Sequence, residues 1–235
     1  MMANSRISDL IDFHAHVLPG ADHGCGDVDC AKRQLELLSG AGIKKVVATP
    51  HFYPHKIALD DFLSLREKCV ERIKPILNES TPSVYAAAEV LLVRDLDKMA
   101  GLEKLCISGT DVILIELPVT EFDHELENTL LNIRESGLRP VVAHIDRYER
   151  SVRARLFEMG VACQINVSSM ASFLKRRDIM PSVKNGSVFA IGSDIHGTGE
   201  RFAELYEKAC KQLDGKLEAI MKRSAYLLKD AVNII

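Results

Sequence analysis

Histidine and carboxylate side chains recur in this chain at spacings that suit metal coordination. His14 and His16 form an H-x-H pair, and Asp194 and His196 form a D-x-H pair near the other end. An extended backbone sends residues two apart to the same face, so each pair can reach one ion. Further candidates are Asp22, His51, Glu89, Glu116 and His144. Imidazole and carboxylate ligands without thiolate suit manganese, and also iron or zinc, rather than copper(I) or an iron–sulfur cluster. The pattern predicts a cluster of two or three divalent cations.

Seven short apolar runs would position these side chains. They cover residues 8–13, 44–49, 84–88, 112–115, 140–143, 162–167 and 188–191. Several are apolar at consecutive positions, which is typical of parallel strands buried on both faces. Nearly all the candidate ligands stand at or just after the end of a run. In a parallel α/β barrel the strand ends ring one mouth, so the cluster would lie there.

Helical segments alternate with these runs. In residues 121–136, Phe122, Leu126, Leu130 and Ile133 form an apolar stripe. A helix–Gly–strand junction recurs at Gly42, Gly137 and Gly160, as expected for repeated βαβ units. From about residue 199 we expect two helices that cover the outside of the barrel, the last with Ser224 as N-cap. A doubly wound open sheet is the alternative, although no G-x-G-x-x-G loop follows the first run.

Composition describes an ordinary globular chain and predicts a single domain over 1–235. Its 235 residues are 47% hydrophobic and 27% charged, with a net charge of −3. The absence of a basic stripe argues against a nucleic-acid partner, and no apolar run approaches the length of a membrane span. Residues 1–9 are polar and are not expected to be a signal peptide. The six cysteines include no C-x-x-C pair, so we expect reduced thiols and a cytoplasmic location. An oligomer is compatible with the sequence.

Six segments, in order, resemble those of a known superfamily. The run IDFHAHVLPGAD at 11–22 resembles the opening motif of the polymerase and histidinol phosphatase (PHP) superfamily. More narrowly, it is similar to bacterial PHP-type protein-tyrosine phosphatases encoded with capsule and exopolysaccharide genes. Matching segments follow at 47–51, 88–89, 114–118, 142–148 and 193–196, the last followed by Arg201.

The resemblance implies a distorted (β/α)7 barrel with a trinuclear manganese centre. In that family pattern one ion is held by His14, His16, Glu89 and Asp194. A second ion is shared by Glu89 with Glu116 and His144, and a third is held by Asp22, His51 and His196. Arg147 and Arg201 match the phosphate-binding arginines. The implied substrate and partner is a phosphotyrosine protein, namely an autophosphorylated bacterial tyrosine kinase of polysaccharide biosynthesis.

The chain departs from the family pattern at three places. His23 and Asp146 stand where the family usually has an acid and a Glu, and the interval 164–193 looks shortened. These departures leave the substrate open, with a small metabolite such as histidinol phosphate or a nucleotide as the alternative. The basic run at 175–177 would suit such a substrate, or it is a solvated helix face. Less favoured are an amidohydrolase, which often has a Lys where Glu116 stands, and a silent metal-binding module that docks on a kinase.

For a phosphomonoesterase the expected mechanism is in-line attack by hydroxide activated by the bound cations. Arg147 and Arg201 would make two-pronged contacts to the phosphate. The alternatives are an ion pair of Arg147 with Asp146 or Glu149, and a solvated position for Arg201. No C-x5-R or G-x-S-x-G motif offers a protein nucleophile. His55, Asp146 and water remain equal candidates for protonating the leaving group, whereas His124 is expected at the surface.

Overall fold

Parallel strands form the centre of the protein. The computed structural model describes residues 9–119, 121–199, 201–213 and 215–234. The strands are β1 (Leu10–Ala15), β2 (Ile43–Ala48), β3 (His51–Phe52), β4 (Ser83–Ala86), β5 (Glu89–Leu91), β6 (Val112–Glu116), β7 (Arg139–Val142), β8 (Ala162–Asn166) and β9 (Val188–Gly192). They pair in the orders β1-β2-β4 and β3-β5-β6-β7-β8-β9, and every pairing is parallel.

We call each full-length strand of the barrel a stave. Two staves are interrupted, because β2 continues as β3 and β4 continues as β5. The peptide N–H of Ala87 donates to the carbonyl of Ala48 at 2.9 Å, and that of Glu89 donates to Pro50 at 3.0 Å. These bonds carry the pairing of β2 with β4 on to that of β3 with β5, so the four segments act as two staves. The barrel therefore has seven staves, and the expected (β/α)7 architecture is confirmed.

The barrel closes between its first and last strands. The N–H of Asp194 donates to the carbonyl of His14 at 2.8 Å, and the N–H of His16 donates to that of Ile195 at 3.3 Å. This seam brings the two ligand pairs identified in the sequence to the same point of the mouth. Closure therefore positions side chains from the two ends of the chain together.

Helices surround the staves. They are α1 (Val28–Gly40), α2 (Leu59–Ile73), α3 (His124–Glu135), α4 (Arg150–Glu158), α5 (Val167–Ala171), α6 (Phe173–Lys184), α7 (Phe202–Gln212) and α8 (Leu217–Leu227). Helix α3 shows why they form where they do: the Asp123 carboxylate accepts from the N–H of Leu126 at 3.0 Å, and the predicted apolar stripe is buried. Gly137 then adopts φ 96°, which ends the helix without a Cβ clash.

The structure corrects two local predictions. The run 84–88 was expected as one strand, but β4 ends at Ala86 and Glu89 opens β5. Ser224 is not an N-cap, and that prediction is wrong: it lies inside α8, buried, and its hydroxyl donates to the carbonyl of Phe189 at 2.9 Å. A helical serine can satisfy its hydroxyl on a neighbouring strand, which capping preference does not foresee. Residue 8 of the first predicted strand lies outside the described residues.

All six cysteines are free, and burial raises the pKa of the Cys106 and Cys163 thiols to about 12. Such thiols stay protonated and unreactive at neutral pH. Across the described ranges, no helix has the length and apolar character needed to cross a bilayer.

Candidate metal centre

Four buried side chains converge at the barrel mouth beside the seam. The Nε2 atoms of His14 and His16 lie 3.1 Å apart. Oε2 of Glu89 lies 3.2 and 3.4 Å from these two nitrogens, and Oδ1 of Asp194 lies 3.7 and 3.4 Å from them. We call these four residues the inner cage. Two imidazoles and two carboxylates aimed at one point are a ligand set suited to Mn²⁺, Fe²⁺ or Zn²⁺.

Neighbouring acceptors determine how the two imidazoles face the cage. Nδ1 of His14 lies 3.2 Å from Oε1 of Gln164, and Nδ1 of His16 lies 2.7 Å from Oδ2 of Asp22. An amide oxygen and a carboxylate only accept hydrogen bonds, so each Nδ1 carries the proton. Both Nε2 lone pairs are then directed into the cage, which is the arrangement that metal-binding histidines need.

The carboxylates of the cage are held in their charged form. Burial opposes the charge on Glu89, but the imidazole of His14 outweighs it and brings the pKa of Glu89 well below its usual range. Burial likewise opposes the charge on Asp194, and bonding to His16 with the nearby Arg147 lowers its pKa. Burial disfavours the protonated imidazole of His14, but the charge of Glu89 outweighs burial and raises the pKa of His14 above its usual value. The cage therefore favours positive charge inside it.

Two buried polar atoms at this site lack hydrogen-bond partners, which indicates whether a cation fits there. Oε2 of Glu89 and Nδ1 of His51 approach to 2.9 Å, yet neither has a hydrogen-bond partner. Buried polar atoms without partners are costly and rare. A divalent cation would coordinate both atoms, so the residues present fit a metal.

A second group lies on the other side of Glu89. Its Oε1 accepts from Nε2 of His144 at 2.7 Å, and Oε1 of Glu116 lies 3.5 Å from the same nitrogen. Ligand atoms of His51, Glu89 and Glu116 also fall within 4.8 Å of one another. Burial, followed by the charge of Glu89, raises the pKa of Glu116. Glu89 thus stands between two groups and is placed to bridge two ions.

A third group consists of imidazoles. Ligand nitrogens of His16, His51 and His196 lie within 4.8 Å of one another. Asp22, grouped with His51 and His196 by the resemblance, lies behind them: its carboxylate bonds to His16 and accepts from the N–H groups of His51 and Gly24 at 3.0 and 2.8 Å. Burial and the charge of His16 lower the pKa of His196, which keeps that imidazole neutral.

The two candidate arginines lie in different surroundings. Arg147 is half exposed and pairs with the Asp194 carboxylate, rather than with Asp146 or Glu149. Arg201 has 77% of its side chain exposed and pairs with Glu204 at 3.3 Å, so the structure does not bring it into the cluster. Asp146 is engaged by the N–H of Asn166 at 2.8 Å and the hydroxyl of Ser169 at 2.5 Å.

Sequence reasoning missed Gln164, Asn166 and Tyr148, which surround the ligands, whereas it singled out His23 as a departure from the family pattern. Gln164 and Asn166 alternate on β8, and the Asn166 amide donates to Oδ2 of Asp194 at 2.9 Å. The Tyr148 hydroxyl lies 3.3 Å from Nδ1 of His144, and the His23 ring stacks on His51 with centroids 5.0 Å apart. A signal existed: Q-x-N interrupts an apolar strand at the same i, i+2 spacing as H-x-H. Of the other histidines, His124 is exposed and pairs with Glu127, and His55 is exposed near Tyr53.

The backbone is also specialised at the mouth. His144 and Asp194 adopt φ values of 31° and 53°, a left-handed conformation that costs non-glycine residues about 1–3 kcal/mol each. A Cβ on Gly192 would lie 2.6 Å from Cβ of His14, so only glycine allows β9 to approach that imidazole.

Comparison with known proteins identifies relatives that match most of the chain. A family model described as "Capsular polysaccharide synthesis, CpsB/CapC" matches residues 10–234. The tyrosine-protein phosphatase YwqE of Bacillus subtilis is 25% identical over 233 residues, covering 93% of this chain and 91% of that protein. Tyrosine-protein phosphatase CpsB of Streptococcus pneumoniae is 26% identical over 212 residues, with 82% and 85% coverage.

Solved structures share the fold. A crystal structure from work on YwqE of B. subtilis and CpsB of S. pneumoniae, described as metal-dependent tyrosine phosphatases, superposes with a TM-score of 0.77 at 22% identity. It covers 95% of this chain and 96% of that one. A TatD-like protein from Archaeoglobus fulgidus follows with a TM-score of 0.57 at 17% identity, covering 93% and 99%. These likenesses place the chain among distorted α/β barrels.

Proposed function

Because the chain belongs to the CpsB/CapC family of capsular polysaccharide synthesis, we propose that it is a metal-dependent phosphomonoesterase acting on phosphotyrosine in proteins. The named relatives are tyrosine-protein phosphatases and match this chain over most of their length. The single observation that supports the chemistry is the inner cage, where His14, His16, Glu89 and Asp194 meet at one buried point.

We propose that the nine residues predicted from the sequence hold two or three divalent cations and that the metal is manganese. Such cations, when bound, lower the pKa of water and neutralise phosphoryl oxygens. The protein orients them: Gln164 and Asp22 fix the imidazole tautomers, and Glu89 bridges the first two groups. Asp22 positions His16 and His51, and it would reach the third ion by releasing one of its present partners.

Arg147 is the proposed phosphate-binding residue. Its guanidinium lies at the rim against Asp194, half exposed, so it can bind a phosphoryl group that enters the mouth. We also propose Arg201 for this role, on the family pattern alone, since its side chain would have to leave Glu204. Hydrolysis breaks the bond between phosphorus and the phenolic oxygen, with water supplying the oxygen of the released phosphate. A phenol with a pKa of about 10 leaves more readily than an alkoxide, so a tyrosine ester depends less on a proton donor at the mouth.

The proposed physiological substrate is an autophosphorylated tyrosine kinase of polysaccharide synthesis, encountered in the cytoplasm by a chain that works as one domain over 1–235. The family description and the names of the relatives support a role in capsule synthesis.

The shortened 164–193 interval retains β8, α5 and α6, and both polar residues of β8 reach the cluster. A trimmed segment therefore does not remove the machinery around the ligands.

The test uses metal-stripped protein to which Mn²⁺ is restored. Substrates are p-nitrophenyl phosphate, a phosphotyrosine peptide, a phosphoserine peptide and histidinol phosphate. We expect Mn²⁺-dependent hydrolysis that is fastest, by kcat/KM, on the phosphotyrosine peptide. Activity confined to histidinol phosphate would replace the substrate and keep the metal chemistry. No hydrolysis with Mn²⁺, Fe²⁺ or Zn²⁺ would refute the proposed function.

A further inference from the structure

A cleft of about 760 Å³ opens beside the second group of ligands. One wall comes from the loop after β6, and the other comes from the turn after β7 and from α4. Glu116, His144 and Arg147 belong both to the cleft and to the metal cluster. A phosphoryl group held at the cluster would thus have this cleft as its neighbour.

We infer that this cleft holds the aryl leaving group of the substrate together with the polypeptide that carries it. The inference rests on the proposed function and adds where the rest of the substrate lies. Both walls carry apolar or aromatic side chains, namely Leu117, Pro118, Tyr148 and Val152, and Val119 stands fully exposed at the rim. An apolar wall joined to an ionic cluster fits an aryl phosphate, which has an apolar and an anionic end.

Size and rigidity favour this side of the mouth over the other. A second pocket, between Asp22, His51 and Lys56, holds only about 260 Å³. Ligand pockets usually measure roughly 300–1,000 Å³, so the larger cleft accommodates a ring and a stretch of chain. Its wall is also fixed, because the Tyr148 hydroxyl accepts from the N–H of Leu117 at 3.0 Å and ties the β6 loop to the β7 turn.

Charge at the rim separates a peptide from a polyanionic metabolite. Glu121 and Glu149 line the cleft and are exposed, whereas Arg155 is occupied by Glu127 and by the carbonyl of Phe122 at 2.7 Å. Of the cationic groups in the cleft, Arg147 is the one directed at the cluster. A second phosphate, as in a nucleotide, would therefore meet carboxylates rather than arginines.

The experiment measures binding, so it does not depend on turnover. Methylphosphonate, benzylphosphonate and a peptide containing phosphonomethyl-phenylalanine are titrated into Mn²⁺-loaded protein. We expect benzylphosphonate to bind about tenfold more tightly than methylphosphonate, because ring burial in a half-open cleft recovers part of the gain from full burial. Val152→Trp fills the cleft and should abolish that preference while leaving methylphosphonate affinity unchanged. Ala154→Trp, on an exposed face of the same helix, should behave as wild type.

A second variant protects the test against misfolding. Val119→Asp changes a fully exposed side chain, so it costs no packing, and it should weaken the peptide phosphonate about threefold through charge. Equal affinity of the wild type for benzyl- and methylphosphonate would overturn the inference, as would a preference retained in folded Val152→Trp. Failure of the proposed function has a separate readout, since the wild type would then leave p-nitrophenyl phosphate intact.

Discussion

Replacing Gln164 with leucine should loosen the metal centre without changing any ligand. The Gln164 side chain is fully buried, and its Oε1 accepts from Nδ1 of His14 at 3.2 Å and from the N–H of His144 at 2.7 Å. Leucine has similar bulk and accepts nothing, so both donors would be buried without partners. Each such donor costs about 1–3 kcal/mol, which gives a loss of about 2–6 kcal/mol in the free energy of unfolding.

Metal affinity should fall as well, because nothing would then fix the His14 tautomer. Partners behind a metal ligand are typically worth about 10–100-fold in affinity or activity, and we expect a loss in that range for Mn²⁺. Gln164 also donates to Oδ1 of Asn166 at 2.9 Å, and Asn166 in turn holds Asp194, so a second cage residue loses support.

The measurements are urea unfolding and calorimetric titration of Mn²⁺ into metal-stripped protein. Gln34→Leu is the matched control: Gln34 is equally buried, but its amide donates to the carbonyls of Gly24 and Gly197 and bonds to no ligand side chain. The control should lose stability and keep its Mn²⁺ affinity within about threefold. A folded Gln164→Leu protein that binds Mn²⁺ as tightly as wild type would refute the reasoning.

Four further predictions follow from the same geometry. His14→Ala should remove one bound ion and reduce phosphatase activity at least about 100-fold, and full activity with full metal content by elemental analysis would contradict its role. Arg147→Ala should weaken inhibition by inorganic phosphate about tenfold or more; for Arg201→Ala we expect a smaller loss, and an unchanged inhibition constant would remove Arg201 from the site. The raised pKa of His14 and His16 means that their pairing with carboxylates stabilises the metal-free fold fully below pH 6.5, and that this contribution is lost as pH rises through the folded-state values. The Tm of metal-stripped protein should therefore fall above pH 6.5, whereas the affinity for Mn²⁺ should rise because bound metal displaces those protons. A Tm and a Mn²⁺ affinity that change in the same direction with pH would contradict this. Gly192→Ala should displace the His14 imidazole and lower Mn²⁺ affinity at least about tenfold, because its Cβ would lie 2.6 Å from that of His14, and unchanged calorimetry would show that β9 can move aside.

Much of the barrel could be predicted from the sequence because each stave has a strong local signal. Buried parallel strands are continuous apolar runs. Gly137 marks the end of a helix, because the helix ends there in a left-handed backbone conformation that favours glycine. The continuation of two strands as β3 and β5 could not be predicted, since it depends on hydrogen bonds between neighbouring strands. The prediction of Ser224 as an N-cap was wrong for the same reason, because its hydrogen-bond partner is a carbonyl on β9.

The site shows the same division between local and non-local information. His14 and His16 were recognisable from spacing alone, because two imidazoles on one face of a strand are chemically conspicuous. The part that Asp22 plays behind His16 depends on a loop folding back, which no spacing encodes. Gln164 has an ordinary amide, and only its burial beside two histidines distinguishes it from a surface glutamine.

The seam between β1 and β9 links the inner cage to the synthesis and folding of the chain. His14 and His16 are synthesised before Asp194, so a nascent polypeptide that ends before Asp194 has only part of the cage. A cation that needs both histidines, Glu89 and Asp194 would therefore be bound only after Asp194 has been added, and its binding energy would then stabilise the closed barrel alone. A fragment ending before Asp194 should bind Mn²⁺ at least about 100-fold more weakly than the full chain, and equal binding would contradict this. Metal binding at this seam would therefore make activity depend on the last strand of the barrel.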